Sequence, residues 1–320
     1  MRHSLKITLI LLGLFLVTQF IGLFVLNAYS PIQATIINPE TGLAENVTLN
    51  QQLPYGMQPP ELRTNFDFWS VLPSIIIAFV IAVVLIMLIS RFKWKFLLKG
   101  WFFVVVSIAV AISLYSITRN FNFLIYPSLV TLGIAAILSF FKIFKPNMYI
   151  HNFTELLIYP GIATIFVSIF NVWTLFIFLF LISIYDMWAV WKSKIMIKMA
   201  KFHIEELNVF PGLLITHASK KVKNQIRNLK KQKKLTKKQK NKKFKVSLAI
   251  LGGGDIAFTL IAVGVFFRAF GLLPALVILA GGFLGLSYLM FTAKKKSYPA
   301  MPFITTGIFL AAIINWLFII

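Results

Sequence analysis

Two aspartates lie within long apolar stretches of the sequence, Asp186 at the end of SIYD and Asp255 at the end of GGGD. Because an ionisable side chain at membrane depth is costly, such a residue marks a functional site by default. Two carboxyls about 3 Å apart share one proton, so one can act as an acid while the other acts as a base on water. The pair therefore predicts hydrolysis of an amide inside a bilayer, without a metal or a cofactor.

The composition indicates an all-α polytopic membrane protein. Of the 320 residues, 59% are apolar and 13% are charged, and the mean hydropathy is +0.85. A soluble globule of this composition would expose large apolar patches. A helix needs about 20 apolar residues to cross a bilayer, and runs near that length predict nine transmembrane helices. They fall at 7–29, 68–90, 101–118, 123–144, 153–172, 173–192, 247–270, 271–292 and 299–320.

The basic residues predict the orientation of these helices. With the N-terminus in the cytoplasm, 29 of the 32 Lys and Arg residues are cytoplasmic, and only Arg63, Arg119 and Arg268 fall outside. Cytoplasmic loops are enriched in Lys and Arg, so we expect a cytoplasmic N-terminus and an extracytoplasmic C-terminus. The net charge of +23 sits between apolar segments, where it favours anionic lipids over nucleic acid as the partner.

We divide the chain into two parts at residue 172. Residues 1–172 are expected to form an N-terminal scaffold of five to six helices, with an extracytoplasmic loop at 30–67. Residues 173–320 are expected to form the catalytic half, which contains spans six to nine and a basic cytoplasmic loop at 193–246.

The basic loop has two parts of different character. Residues 193–218 alternate apolar residues with lysines at helical spacing, which predicts an interfacial amphipathic helix. Residues 219–245 are nearly all Lys, Gln and Asn, and this composition predicts disorder.

The predicted orientation places both aspartates near the cytoplasmic surface. Asp186 lies six residues before Lys192 at the end of its span, and Asp255 lies eight residues after Ser247 at the start of its span. At a rise of 1.5 Å per residue, these depths are about 9 and 12 Å. We therefore expect antiparallel packing of two successive helices to bring the carboxyls together.

Two further segments are expected beside the aspartates. The run Gly252–Gly254 weakens a helix, and it could present an extended backbone to an unwound substrate. The segment Pro299-Ala300-Met301-Pro302 follows the lysines at 294–296. Its prolines fix an irregular backbone, which is tolerated at membrane depth only where protein or a wet cavity surrounds it.

As a set, these motifs resemble the YD, GxGD and PAL motifs of the presenilin and signal peptide peptidase family, and archaeal presenilin homologues in particular. The resemblance implies an intramembrane aspartyl endopeptidase that cleaves transmembrane helices or signal-peptide-like substrates. It implies a multi-pass protein of a prokaryotic cell membrane, and it leaves self-association and accessory subunits open. Met301 stands where the family usually has Leu. The implied catalytic residues are Asp186 and Asp255, and the implied site-shaping residues are Tyr185, Gly252, Gly253, Gly254, Pro299, Ala300 and Met301.

Other functions compete with this interpretation. Membrane carboxylates beside broken helices also fit a proton-coupled transporter or a cation leak channel, and an inactive family member is a further alternative. A transporter would show inverted repeats, and we recognise none because we assign no membrane acid to the first half. A metalloprotease is disfavoured because His203 and Glu206 lack a second histidine at helical spacing. Ser287 has no histidine after it to activate it, and we interpret His151 as a surface residue.

Overall fold

The structure is a computed structural model, and it describes part of the chain. The described residues are 5–30, 32–37, 44–49, 53–58, 62, 64–91, 94–119, 126–193, 209, 211–217, 247–293 and 298–319. The predicted disorder at 219–245 and most of the amphipathic helix predicted at 193–218 lie outside these ranges.

The described part of the chain contains nine helices that are long and apolar enough to cross a membrane, which confirms the predicted number. Several boundaries differ from the prediction. The helices α3 and α5 each begin about one and a half turns earlier in the chain than expected, α5 also ends earlier, and α4 and α7 begin later. The helices are α1 (Leu5–Ala28), α2 (Asn65–Arg91), α3 (Lys95–Thr118), α4 (Pro127–Phe144), α5 (Met148–Val167), α6 (Val172–Met187), α7 (Gly253–Phe270), α8 (Leu272–Thr292) and α9 (Met301–Phe318). A π-helical turn at Trp188–Lys192 continues α6.

Local chemistry explains where several helices begin. At the start of α6, Oδ1 of Asn171 accepts from the amide of Thr174 at 2.8 Å, and Oγ1 of Thr174 accepts from the amide of Asn171 at 3.0 Å. This capping box satisfies amides that have no partner within the helix. Between α7 and α8, Gly271 has φ 88°, a conformation that favours glycine and ends one helix before the next begins.

Most of the helices share one apolar core. Buried side chains of α1, α5, α6, α7, α8 and α9 form a continuous cluster that includes Phe15, Leu260 and Ile304. A smaller cluster joins α3, α4 and α5. Because α5 contributes to both clusters, it connects the N-terminal helices to the helices that carry the aspartates.

Two basic residues that the charge argument places outside have partners within the protein. Arg268 donates from Nη2 to the carbonyl oxygen of Phe170 at 2.6 Å, which ties the end of α7 to the turn before α6. The Arg119 guanidinium lies 5.7 Å from the ring centroid of Tyr29. Few Lys and Arg residues lie at this end of the protein, and these contacts explain why Arg119 and Arg268 are found there.

Two antiparallel hairpins accompany the helices. The strands β1 (Ile32–Ile37) and β2 (Ala44–Leu49) pair within the predicted loop 30–67. The strands β3 (Gly212–His217) and β4 (Ser247–Gly252) pair with Gly212 opposite Gly252.

The second hairpin corrects two predictions. The strand β3 occupies the end of the segment predicted as an amphipathic helix, and β4 occupies the first six residues of the predicted seventh span. A continuous apolar run does not distinguish a buried strand from a helix. The prediction therefore treated residues 247–270 as one helix, whereas the structure has a strand followed by a helix. The depth of about 12 Å predicted for Asp255 assumed that the residues from Ser247 onward are helical. That assumption was wrong, because α7 begins only two residues before Asp255.

The outer edge of β3 is held by α5. Asn152 donates from Nδ2 to the carbonyl of Leu214 at 2.8 Å, and its Oδ1 accepts from the Leu214 amide at 2.9 Å. In an antiparallel pair, successive residues direct their backbone groups to opposite edges. Since Leu214 faces α5, its cross-strand partner Ile250 directs its N–H and C=O to the opposite edge of the hairpin.

Candidate active site

Asp186 lies where α6 meets the start of α9. Its side chain is 7% exposed, and its Oδ2 accepts a hydrogen bond of 3.1 Å from the backbone amide of Met301. One turn away, the Ser183 hydroxyl donates to Oγ1 of Thr305 at 2.7 Å. These two contacts fix the register of α6 against α9.

The segment predicted beside the aspartates forms the beginning of α9. Met301 is the first residue of the helix and Pro302 follows it, while Pro299 is buried just before. The first amides of a helix lack partners within the helix, and its N-terminus carries a partial positive charge. Proline at this position removes a donor that the helix does not need. The free amide of Met301 is thus directed to the Asp186 carboxyl.

Asp255 lies in the first turn of α7, next to the glycine run. A Cβ placed on Gly252 would lie 3.0 Å from Oδ2 of Asp255, and a Cβ on Gly253 would lie 2.7 Å from the Tyr159 hydroxyl oxygen. Gly254 is exposed, and a Cβ there would meet only Phe258, at 3.5 Å. Close packing therefore explains the first two glycines. Only Gly252 belongs to a strand, so the extended backbone expected at Gly252–Gly254 is limited to its first residue.

The Asp255 carboxyl borders a cavity of about 120 Å³. This volume has room for several water molecules. The wall includes Ile250 and Gly252 of β4 together with Tyr298 and Ala300 of the segment before α9. The cavity therefore brings the glycine motif and the proline motif to one place.

The two aspartates lie within range of electrostatic interaction. Asp186 is absent from the cavity wall among the described residues, and it reaches this region through Met301, the neighbour of Ala300 in the chain. The Tyr185 ring packs edge-on against Phe79 of α2, with the ring centroids 5.4 Å apart. The structure thus groups the aspartates with the glycine and proline segments, and it places the Tyr185 side chain against α2.

Four buried polar side chains next to the site were missed from the sequence. Lys142 of α4 forms an ion pair with Glu155 of α5, and His151 and Tyr159 lie on the same face of α5. The statement that the first half has no membrane acid was wrong, and His151 is buried rather than on the surface. The signal was present in the spacing, because residues four apart on a helix are neighbours and Glu155 stands in an apolar segment.

Within the residues that the structure describes, no group of three or more His, Asp and Glu side chains is placed to hold a metal ion.

Comparison with known proteins identifies the class. The family described as signal-peptide peptidase, presenilin aspartyl protease matches residues 48–320. The chain belongs to this family, and it is a multi-pass intramembrane aspartyl protease. The comparison with curated protein sequences gave no match.

Solved structures show the same fold. The structure of a presenilin family intramembrane aspartate protease in space group C222 is 18% identical, with a TM-score of 0.55, and the match covers 96% of this chain and 98% of that one. The structure of a presenilin family intramembrane aspartate protease in space group P2 is 15% identical, with a TM-score of 0.53, over 98% and 97% of the two chains. The nine apolar helices are therefore arranged in the presenilin-family fold.

Proposed function

We propose that Asp186 and Asp255 are the catalytic pair, and that together they activate the water that hydrolyses the peptide bond. One observation carries the proposal. The first residues of α9 connect the two carboxyls, because the Met301 amide bonds to Asp186 while Ala300 lines the cavity that Asp255 borders. The glycine and proline motifs thus line one cavity, and the start of α9 joins Asp186 to it.

The different surroundings of the two carboxyls suggest different roles. Asp186 accepts a hydrogen bond from the Met301 amide, which stabilises its ionised form, so we assign it as the base that takes a proton from water. Asp255 is the acid that gives its proton to the carbonyl oxygen of the substrate. The water oxygen bonds to the carbonyl carbon to form a diol. The C–N bond then breaks as Asp186 gives its proton to the amine nitrogen and one diol hydroxyl gives its proton to Asp255, which leaves a carboxylic acid and restores the pair.

The outer edge of β4 is the proposed seat for the substrate. A helical segment has no free backbone groups to present until it unwinds, and an unwound segment can pair with a strand edge. Ile250 directs its N–H and C=O to the edge opposite α5, and Ile250 and Gly252 both lie in the cavity wall. A substrate strand paired at Ile250 would place its next peptide bonds beside Asp255.

The orientation and the surroundings of the protein follow from charge. We infer a cytoplasmic N-terminus and an extracytoplasmic C-terminus, since this orientation makes 29 of the 32 basic residues cytoplasmic. The basic loop 193–246 would then lie at anionic headgroups. We place the protein in the cell membrane of a prokaryote, and we propose helices with extracytoplasmic N-termini as its substrates.

We further propose a division of labour along the chain. Residues 1–172 act as a scaffold and residues 173–320 as the catalytic half. The packing of α5 against α7 gives the scaffold a direct route to the β4–α7 junction.

The experiment is cleavage by the purified chain in lipid vesicles of a panel of single-span peptides, with the products identified by mass. We expect cuts inside the apolar segment, near its cytoplasmic end. A transition-state mimic with a hydroxyl in place of the scissile amide should inhibit, because it presents an oxygen where the water oxygen would stand. Intact peptides together with proton or cation flux through the vesicles would instead support the transporter.

A further inference from the structure

The contact between Asn152 of α5 and Leu214 of β3 has the geometry of a strand pair. A residue in an antiparallel ladder exchanges two bonds with the residue opposite, one as donor and one as acceptor. The side-chain amide of Asn152 does the same, because its Nδ2 donates to the Leu214 carbonyl at 2.8 Å and its Oδ1 accepts from the Leu214 amide at 2.9 Å. Asn152 therefore occupies the place of a residue in a third strand.

The residue before Asn152 makes a second contact to the same edge of β3. His151 donates from Nε2 to the carbonyl of Gly212 at 2.8 Å. Gly212 and Leu214 are two apart in the strand, so both direct their backbone groups away from β4. Two adjacent side chains of α5 thus cover the outer edge of β3 at successive positions, and a covered edge does not pair with another strand.

A buried ion pair orients His151 for this contact. The Nδ1 atom of His151 lies 3.4 Å from the Lys142 ammonium, and Lys142 forms an ion pair with Glu155. A neutral imidazole with its hydrogen on Nε2 satisfies both contacts, because Nδ1 can then accept from Lys142. The ion pair thereby directs an N–H group to the Gly212 carbonyl.

The hairpin of β3 and β4 depends on support of this kind. A two-stranded hairpin is marginally stable on its own, and residues 218–246 separate the two strands, so no two-residue turn sets their register. The apolar face of the hairpin, which includes Leu213 and Leu251, is buried. Since side chains alternate along a strand, a slip of two residues would keep this face inward. The bonds from Asn152 fix β3 in the register that places Gly212 opposite Gly252.

The effect of these contacts crosses the hairpin to the cavity. The register partners of Gly212 and Leu214 are Gly252 and Ile250, and both partners lie in the wall of the cavity that Asp255 borders. The strand β4 continues directly into α7, and α7 packs against α5. One helix, α5, therefore supports β4 from both β3 and α7.

We propose that Asn152, with His151 beside it, is a positioning residue that stands in for a third strand and keeps the free edge of β4 formed before the substrate arrives. The proposal rests on the proposed function, in which an unwound substrate pairs with β4 at Ile250. A site that is formed for only a fraction of the time binds its ligand more weakly by that fraction. Asn152 therefore acts on substrate binding rather than on the chemical step.

The test substitution is Asn152→Leu, which is similar in shape and removes both bonds to Leu214. Asn152 is the residue to change, because His151 also contacts the buried Lys142. Amide hydrogen exchange of the full chain in lipid vesicles, without substrate, is followed by mass. Peptides that cover 212–217 and 247–252 should exchange about tenfold faster than in the wild type, because two hydrogen bonds are lost. Peptides from α8 should exchange at the wild-type rate.

Cleavage kinetics provide the second readout. In Asn152→Leu, KM should rise severalfold and by no more than the factor by which exchange accelerates, while kcat stays within about twofold of the wild type. Asn315→Leu is the matched control. Asn315 is also a buried amide, and it donates to the Pro274 carbonyl at 3.0 Å near the far end of α9. This control should leave KM and the exchange of the hairpin unchanged.

Three results would overturn the proposal. The first is wild-type exchange and wild-type KM in folded Asn152→Leu, and the second is an equal effect of Asn315→Leu, which would indicate general loosening. The third is faster exchange with an unchanged KM, since Asn152 would then support the fold alone. A wild type that cleaves no peptide would contradict the proposed function, whereas hydrogen exchange would still decide whether Asn152 holds the hairpin.

A milder change keeps the proposal testable if Asn152→Leu does not fold. Replacing the Leu214 amide by an ester removes one of the two bonds and keeps every side chain. Exchange of 247–252 and KM should both move in the same direction as expected for Asn152→Leu, by a smaller factor. Exchange and KM equal to those of the wild type in the Leu214 ester would overturn the proposal.

Discussion

The backbone amide of Met301 donates a 3.1 Å hydrogen bond to Oδ2 of Asp186. The donor is the first residue of α9, so the bond joins a carboxyl to a helix N-terminus. Since it comes from the backbone, the side chain at position 301 can vary while the bond is kept. The segment that bears this amide also lines the cavity beside Asp255.

Replacing the Met301 amide by an ester, through incorporation of the corresponding α-hydroxy acid, removes this donor and keeps the side chain. A hydrogen bond to a charged group contributes about 1.5 to 3 kcal/mol, so we expect kcat to fall by at least tenfold. The acid limb of the pH–rate profile should move to higher pH, because the Asp186 carboxylate loses a stabilising donor. The same exchange at Ile313, an exposed position in the same helix, is the control. Equal profiles for the two esters would contradict the role given to the amide.

Met301→Leu should be nearly neutral. The Met301 side chain is 3% exposed, and a swap of similar volume in a core costs less than about 1.5 kcal/mol. Met301→Ala leaves a cavity and should cost about 2 to 5 kcal/mol. Thermal unfolding in detergent and peptide cleavage provide the comparison. A leucine variant as damaged as the alanine variant would show that sulfur, rather than volume, matters at this position.

Gly253→Ala should lower the melting temperature by several degrees, and Gly254→Ala should not. A Cβ at 253 meets the Tyr159 oxygen at 2.7 Å, whereas at 254 it meets only Phe258 at 3.5 Å. Overpacking costs about 1 to 3 kcal/mol, while alanine at an open helical position gains up to about 1 kcal/mol over glycine. The double variant Gly253→Ala with Tyr159→Phe should recover part of the loss. Equal destabilisation by the two alanines would refute this account of the junction.

Gly285→Ala should reduce cleavage by more than tenfold. Its Cβ would lie 2.3 Å from the Phe303 carbonyl oxygen, so α8 and the start of α9 would have to separate. That shift would move the Met301 amide away from Asp186. Gly133→Ala in α4 is the matched control, because no atom lies within 4 Å of a Cβ there. Cleavage rates per folded molecule decide the matter, and full activity of Gly285→Ala would show that the α9 start tolerates displacement.

Much of the architecture could be read from the sequence because hydropathy records the length of a membrane helix directly. The strand β4 could not, since the run Ser247–Phe270 is predominantly apolar and a buried strand followed by a helix has the same signal as one long helix. The strand β3 (Gly212–His217) follows the lysines at helical spacing and was assigned to the same helix, whereas its pairing with β4 and with Asn152 shows it as a strand.

At the site, too, features that are contiguous in the sequence could be predicted, and contacts between distant residues could not. The aspartates, glycines and prolines were recognisable because each motif is contiguous in the chain. The ion pair of Lys142 and Glu155 was not, because its members stand on different helices, although Glu155 alone could be seen as an acid in an apolar segment. Their meeting depends on how α4 packs on α5, which no local pattern records.

The most direct measurement is single-turnover cleavage of a vesicle-reconstituted peptide by the wild type, Asp186→Asn and Asp255→Asn, from pH 4 to 9 at equal amounts of folded protein. The account predicts a bell-shaped profile for the wild type, because one carboxyl must be ionised and the other protonated. It predicts no cleavage by either asparagine variant at any pH in this range. Measurable cleavage by either variant, or a wild-type rate that only rises with pH, would contradict a catalytic pair made of Asp186 and Asp255.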